Sequence, residues 1–321
     1  MSRLDRLRGP ERATPEDIER INKVFSEAFT DRYQRDGLSG VRVPPLNPAI
    51  WRYAIAGAAD GALVWRDGSK QLVAFIMVHR SGAEGWMGPL AVRPDRQGEG
   101  IGRAMVEEGI RRLEAGGARV IGLETMPRTV ENIGFYSGLG FRPGHLTVSM
   151  GRELTGPGTR PGTLLSQGDR GPGIRACRLL TEAVATGVDF SREMELTLDH
   201  ELGDVTLLAE GGRLSAYALW HVAPLAEGRS PDELRVLKLV ARDLPLFRRL
   251  VSAVECDAWA AGARRVAIRC QSAYGAAYSA LVDAGYRVQW TDLRMTLARR
   301  GEEGTGEEGK GDAVVFSNWE I

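Results

Sequence analysis

Gly88–Met105, GPLAVRPDRQGEGIGRAM, decides the fold. An apolar strand (Leu90, Ala91, Val92) runs into a polar turn, Gln97-Gly98-Glu99-Gly100-Ile101-Gly102. A helix follows at once, with Met105, Val106, Ile110 and Leu113 on one face of Arg103–Leu113. The first turn of a helix carries unpaired N–H donors and a partial positive charge, so it attracts anions. Glycines there let the backbone approach a phosphate, because no Cβ intervenes. The spacing excludes two common phosphate loops. No GxxxxGK is present, and a GxGxxG opening at Gly100 and Gly102 fails because its third position is Met105. Gln97-x-x-Gly100-x-Gly102 remains.

Working outward, three strands lead to this turn: Ala62–Arg66, Gln71–His79 and Gly85–Val92. Pro89 lacks an N–H for a ladder, so it implies an edge or a bulge. Beyond the helix come a strand at Arg119–Thr125, a helix at Thr129–Leu139 and a closing hairpin or strand pair at Phe141–Met150. Upstream, Thr14-Pro15-Glu16-Asp17 is a helix start and apolar spacing carries that helix to about Phe29. Thr30–Ala59 reads as loops with a short helix near Asn47–Ala56. Residues 1–13 read as a flexible lead-in.

Residues 152–173 are rich in Gly, Pro and Thr and read as a linker. A second unit, 174–300, repeats the pattern. Gly117-Ala118-Arg119 falls on Gly262-Ala263-Arg264, and Gly140-Phe141 on Gly285-Tyr286, without a gap at an offset of 145 residues. At that offset Gln97, Gly100 and Gly102 fall on Arg242, Pro245 and Phe247. Proline deletes a donor and a phenyl ring fills the phosphate's space, so the second unit is expected not to bind phosphate this way. Residues 301–312 read as a flexible tail of glycine and charge. Residues 313–321, AVVFSNWEI, read as a strand that docks on either unit or on a partner chain.

Composition narrows the function classes. The chain has 321 residues, 43% hydrophobic and 26% charged, with a formal net charge of zero. These are globular values for about two domains, with no bulk charge to favour nucleic acid or an anionic membrane. Cys177, Cys256 and Cys270 form no CxxC pair and the four His are scattered, so no metal site is expected. Reduced thiols, a charged N-terminus and no apolar run of membrane length make a cytoplasmic protein the expectation.

The loop resembles the (Q/R)-x-x-G-x-(G/A) signature of the GNAT acetyltransferase superfamily, whose loop cradles the pyrophosphate of coenzyme A. Phe135-Tyr136-Ser137-Gly138-Leu139-Gly140-Phe141 resembles the LYxxxGF helix of the same enzymes. Leu123-Glu124-Thr125 resembles their LEV element. The resemblance covers about Thr14–Met150, and the second unit looks like a degenerate copy. It implies an α/β (α+β) chain of two tandem GNAT folds, each a mixed, mainly antiparallel sheet flanked by helices, with 14–151 as the catalytic domain. It implies acetyl-CoA as cosubstrate. The backbone of Leu90, Ala91 and Val92 would pair with the pantetheine arm. Gln97, Gly98, Glu99, Gly100, Ile101, Gly102 and Arg103 would hold the phosphates. These relatives place Asn seven residues before the tyrosine; here Thr129 stands there and Asn132 follows one turn later, so both are carried as cofactor contacts, Thr129 with helix capping as its other reading.

Moving an acetyl group to an amine needs a base for the amine's proton, a donor for the thioester oxyanion and a proton for the leaving thiolate. Tyr136 is the candidate acid, because a phenol stays protonated at neutral pH; its other reading is a packing tyrosine. Glu124 is the candidate base, one carboxylate on an apolar strand, with a structural or substrate-anchoring role as the alternative. Glu84 is a second carboxylate candidate. Trp86, His79, Trp51 and Tyr33 are candidates for the acceptor pocket, each with core packing as its alternative. The first expectation is an N-acetyltransferase acting on a small-molecule or peptide amine, as a monomer or homodimer, without nucleic-acid or membrane partners. The others are a non-catalytic acyl-CoA sensor and a mycothiol-synthase-like tandem enzyme. In the last the C-terminal half carries the reaction, and the lost loop counts against it.

Overall fold

The computed structural model describes residues 7–158, 162–297 and 312–319. The first half contains β1 (Arg8–Arg12), α1 (Ile18–Arg35), α2 (Pro48–Ala58), β2 (Ala62–Arg66), β3 (Leu72–Ser81), β4 (Glu84–Val92), α3 (Ile101–Ala115), β5 (Val120–Thr125), α4 (Val130–Ser137) and β6 (Phe141–Glu153). The second half contains β7 (Thr163–Leu164), α5 (Arg170–Val184), α6 (Ser191–Asp199), β8 (Gly203–Glu210), β9 (Arg213–His221), β10 (Glu233–Ala241), α7 (Leu244–Ala260), β11 (Arg265–Gln271), α8 (Gly275–Asp283), β12 (Arg287–Leu297) and β13 (Val314–Ser317). Element types and order follow the apolar periodicity. β3 is almost wholly apolar and is buried along nearly its whole length, because both of its faces are covered.

Several expectations need correction. The lead-in is partly ordered, because Arg8–Arg12 pair with β2 as an edge strand. The closing element at 141 is one strand of 13 residues rather than a hairpin. The linker is mostly structured: β6 runs to Glu153, β7 pairs with β8 and α5 begins at Arg170. Most of the tail at 301–312 lies outside the described residues.

The larger correction concerns the two domains. Their strands form one sheet of 13, in the order β1-β2-β3-β4-β5-β12-β6-β11-β10-β9-β8-β7, with β13 on β10. The last long strand of each half crosses to the other. β12 pairs antiparallel with β5, β6 pairs antiparallel with β11, and β6 and β12 pair with each other at the centre. The ladder has local two-fold symmetry: Arg269 opposes Ser149 and Arg294 opposes Glu124, which are the same pair moved by the repeat. Each half therefore supplies the strand that completes the other. Apolar clusters cover both faces of each half, and a smaller one (Ile50, Tyr53, Leu196, Leu202) joins α2 to the α6 side.

The repeat is not gapless. Val120 and Arg265 keep the 145-residue offset, but their ladder partners Glu84 and Glu233 lie further apart. The difference is the connection: residues 93–100 join β4 to α3, whereas Arg242 and Asp243 alone join β10 to α7. The second half has lost most of the glycine turn by shortening as well as by substitution.

Candidate active site

β4 and β5 run parallel only as far as Met87 and Leu123. Beyond that point β4 stays on β3, and β5 leaves it. Arg93 donates its N–H to Val73 on β3, so alternation turns the peptide groups of Leu90 and Val92 toward the gap. The interruption sits at Gly88-Pro89, as the proline requires. The gap opens into a cavity of about 570 Å3.

At one end of this cavity lies the glycine turn. Gly100 caps α3 with φ of 84°, a conformation that a side chain disfavours, and no side chain caps the helix. The first N–H groups of α3 are thereby left for a ligand. Gln97, Gly98, Gly100, Ile101, Gly102 and Arg103 line the cavity, as do Leu90, Ala91 and Val92. Glu99 does not; it pairs with Arg96 at 2.9 Å, and Arg96 is the lining residue. Arg32 and Arg35 also line it from α1, cations that no motif marked.

Tyr136 and Asn132 line the same cavity from α4. Burial raises the Tyr136 phenol above its ordinary pKa, so it remains a proton donor. Asn132 Nδ2 donates to Thr125 Oγ1 at 3.4 Å. Thr129 lines neither this cavity nor its neighbour and its side chain does not cap α4; it is fully buried and donates to Asp36 Oδ2 at 2.5 Å, tying α4 to the end of α1.

A second cavity, of about 460 Å3, opens between the halves. The two share Phe29, Tyr33, Met87, Gly88, Pro89, Glu124 and Asp292 in their walls, so they meet where β4 and β5 part. Tyr33 and Trp290 face each other there at 6.1 Å between ring centres. Trp86 lines this second cavity. Its ring lies across Gly122, where an added Cβ would stand 2.3 Å from it, and Arg294 covers it at 4.0 Å.

Two carboxylates at the junction have opposite characters. Glu124 is ion-paired with Arg269 and Arg294 and accepts from Thr147 at 2.5 Å. Burial alone would raise its pKa, but the two guanidiniums outweigh this and hold it below the usual range. Arg269 is its own counterpart in the repeat, 145 residues on. Glu124 therefore locks β5 to the strands of the second half and is poorly suited to be the base. Asp292 shares Arg269, at 3.0 Å, yet burial raises its pKa, helped by the charge of Glu124. Environments that push two carboxyl groups apart separate a proton acceptor from a fixed anion. No sequence signal marks Asp292, which lies in the other half on β12, a strand with no motif.

The remaining candidates fall outside both cavities. Trp51 is fully buried against Phe25 and Phe75, and donates to Asn22 at 2.8 Å. Glu84 is at the far end of β4, with Trp86 Nε1 at 3.4 Å. His79 is buried and stacked on Trp319 at 4.3 Å. Burial and the nearby Lys238 push the imidazole down to about 3, so it stays neutral. The unfolded chain takes up a proton below about pH 6.5 that the folded chain refuses. Stability therefore falls as pH drops from 6.5 toward 3, by about 1.4 kcal/mol per unit. Between pH 7 and 5 the wild type should lose about 2 kcal/mol more than His79→Phe in urea unfolding. Equal losses would refute the neutral assignment.

Among the described residues no group of three His, Cys, Asp or Glu side chains is arranged to hold a metal. No helix of the described residues is long and apolar enough to cross a membrane. Cys177, Cys256 and Cys270 are buried free thiols.

Residues 20–141 match the sequence profile of the Acetyltransferase (GNAT) family. The solved structures similar to this chain include a putative acetyltransferase from Pyrococcus horikoshii, with a TM-score of 0.66 at 17% identity over 98% of this chain and 94% of that one. A GCN5-related N-acetyltransferase from Sphaerobacter thermophilus aligns with a TM-score of 0.61 at 16% identity, covering 91% and 95%. Saccharomyces cerevisiae N-myristoyltransferase with bound myristoyl-CoA aligns with a TM-score of 0.63 at 11% identity, covering 95% and 82%. At these identities the likeness is one of fold, and it extends over both halves. No curated protein sequence matches the chain.

Proposed function

We propose that this chain, whose residues 20–141 match the Acetyltransferase (GNAT) family, moves an acetyl group from acetyl-CoA to a primary amine bound between its halves. The observation that carries the reading is the meeting of the two cavities at Gly88–Pro89, beside Asp292. The glycine turn and α3 suit the pyrophosphate, and the free edge of β4 suits the pantetheine amides. The thioester then lies near the junction, with Tyr136 on its own side and the amine on the other.

The amine reaches the site as an ammonium and gives its proton to Asp292. Its nitrogen lone pair attacks the thioester carbonyl, and a peptide N–H of the β4 edge donates to the oxyanion. The carbon–nitrogen bond forms, the carbon–sulfur bond breaks, the thiolate takes the Tyr136 proton, and the second proton of the former amine passes from the nitrogen to the tyrosinate, which leaves a neutral amide, free thiol and a restored phenol. Asp292 comes from the second half, so the reaction uses both halves even though only the first has a phosphate loop.

Calorimetry with acetyl-CoA, followed by thiol release over a panel of amines, tests this. The wild type should bind one equivalent and Gly100→Pro/Gly102→Phe none, with the variant's unfolding transition retained. Two equivalents would overturn the assignment of the second half. Binding without thiol release from any amine would replace the enzyme by an acyl-CoA sensor.

A further inference from the structure

β10 and β11 part beyond Val236 and Ile268, as β4 and β5 do beyond Met87 and Leu123. The first half leaves its gap open as the cofactor cavity. The second half fills its gap with β13, whose Val314–Ser317 pair antiparallel with Lys238–Ala241. Phe316 is fully buried against Phe247 and Tyr274. Asp243 caps α7 by accepting from Leu246 N–H at 2.8 Å, so a carboxylate occupies the end that would have met phosphate. The chain's own C-terminal strand thus lies along the cleft edge that a pantetheine arm would need.

The strand ends inside the cavity between the halves. Asn318 is fixed there by three bonds: its N–H donates to Leu237, its Nδ2 donates to Arg269 O at 2.8 Å, and its Oδ1 accepts from Gln271 Nε2 at 2.6 Å. Trp319 follows and lines that cavity. Its ring stacks on His79 with an interplanar angle of 18°, and Lys238 Nζ sits 3.9 Å from its centre. Lys238 is fully buried and ion-paired with Glu193 at 3.7 Å, so it cannot move without exposing an unpaired charge. A ring packed against an imidazole and an ammonium is a rigid wall rather than an adjustable one.

We infer that the C-terminal strand is the acceptor gauge of this protein: it occupies the unused cleft of the second half and sets Trp319 as the wall that limits the size of the amine. The inference rests on the proposed acyl transfer. It names the substrate class more closely, as a primary amine on an apolar body small enough to stop at this indole. Phe29, Tyr33, Trp86 and Trp290 supply the apolar and aromatic surroundings, and Asp292 meets the ammonium.

The test is a graded amine series, ethylamine, phenethylamine and 2-(1-naphthyl)ethylamine, followed by thiol release from acetyl-CoA and by calorimetry in the presence of coenzyme A. Trp319→Ala should shift the kcat/KM ratio of the naphthyl amine over ethylamine at least tenfold toward the naphthyl amine. Trp319→Phe should keep the wild-type order. Acetyl-CoA affinity should stay within twofold in both variants, which separates a lost wall from a lost fold. If the wild type turns amines over and Trp319→Ala leaves the ratio within twofold, the gauge is refuted and the acyl transfer stands. If no amine is bound or acetylated by either form, both are refuted together.

Discussion

Asp292→Asn should lower kcat/KM for the amine by about 10²–10⁴-fold, the range over which a positioned base contributes. Acetyl-CoA binding should remain. The wild-type rate should rise with pH through the Asp292 pKa, which burial raises above the usual 3.8, and the variant should lack that limb. Glu124→Gln should behave differently. It leaves Arg269 and Arg294 short of a partner in a partly buried site, so it should cost about 2–4 kcal/mol, between the values for exposed and buried pairs. Its rate loss should come with a lowered unfolding midpoint and no change in the shape of the pH profile. If Glu124→Gln instead removes the acidic limb and Asp292→Asn does not, the roles are reversed.

The second large effect concerns the halves themselves. A chain ending at Glu153 should not fold. It would keep β5 and β6 but lose β12 from between them and β11 from the other side of β6. One edge of β5 and both edges of β6 would then face water unpaired, which natural sheets avoid. Size-exclusion chromatography and circular dichroism should find aggregate or an uncooperative chain. Co-expression of 1–153 with 162–321 should recover a stable heterodimer, because the crossing strands can pair between chains. A monomeric 1–153 with a cooperative melt would show that the first half is an autonomous domain.

Much of this site was legible in local patterns. The strand, glycine turn and helix from Leu90 to Leu113 needed only the apolar spacing and the conformational demand met at Gly100. Tyr136 was legible because it lies on a short helix at a set distance from a glycine-phenylalanine turn. Trp51 and His79 misled because an aromatic residue on an apolar element reads alike whether it faces a pocket or a core. Thr129 misled because a motif position fixes a place on a helix and not the partner, here Asp36, that claims its hydroxyl. The docking of β13 was open because its strand pattern names no partner; the vacant edge of β10 chose one.

By itself the sequence determined the two α/β repeats, the glycine turn that opens α3 and the short helix that carries Tyr136. Each of these depends on residues close together in the chain, whose periodicity and backbone needs are local. Only the tertiary structure decided that the halves exchange strands, that Glu124 meets its own counterpart Arg269, and that Asp292 and Trp319 complete a cavity begun by β4. Strand pairing between distant segments is chosen by which edges remain unpaired, and a carboxylate's proton affinity by which charges surround it. Neither is a property of the residue's neighbours in sequence.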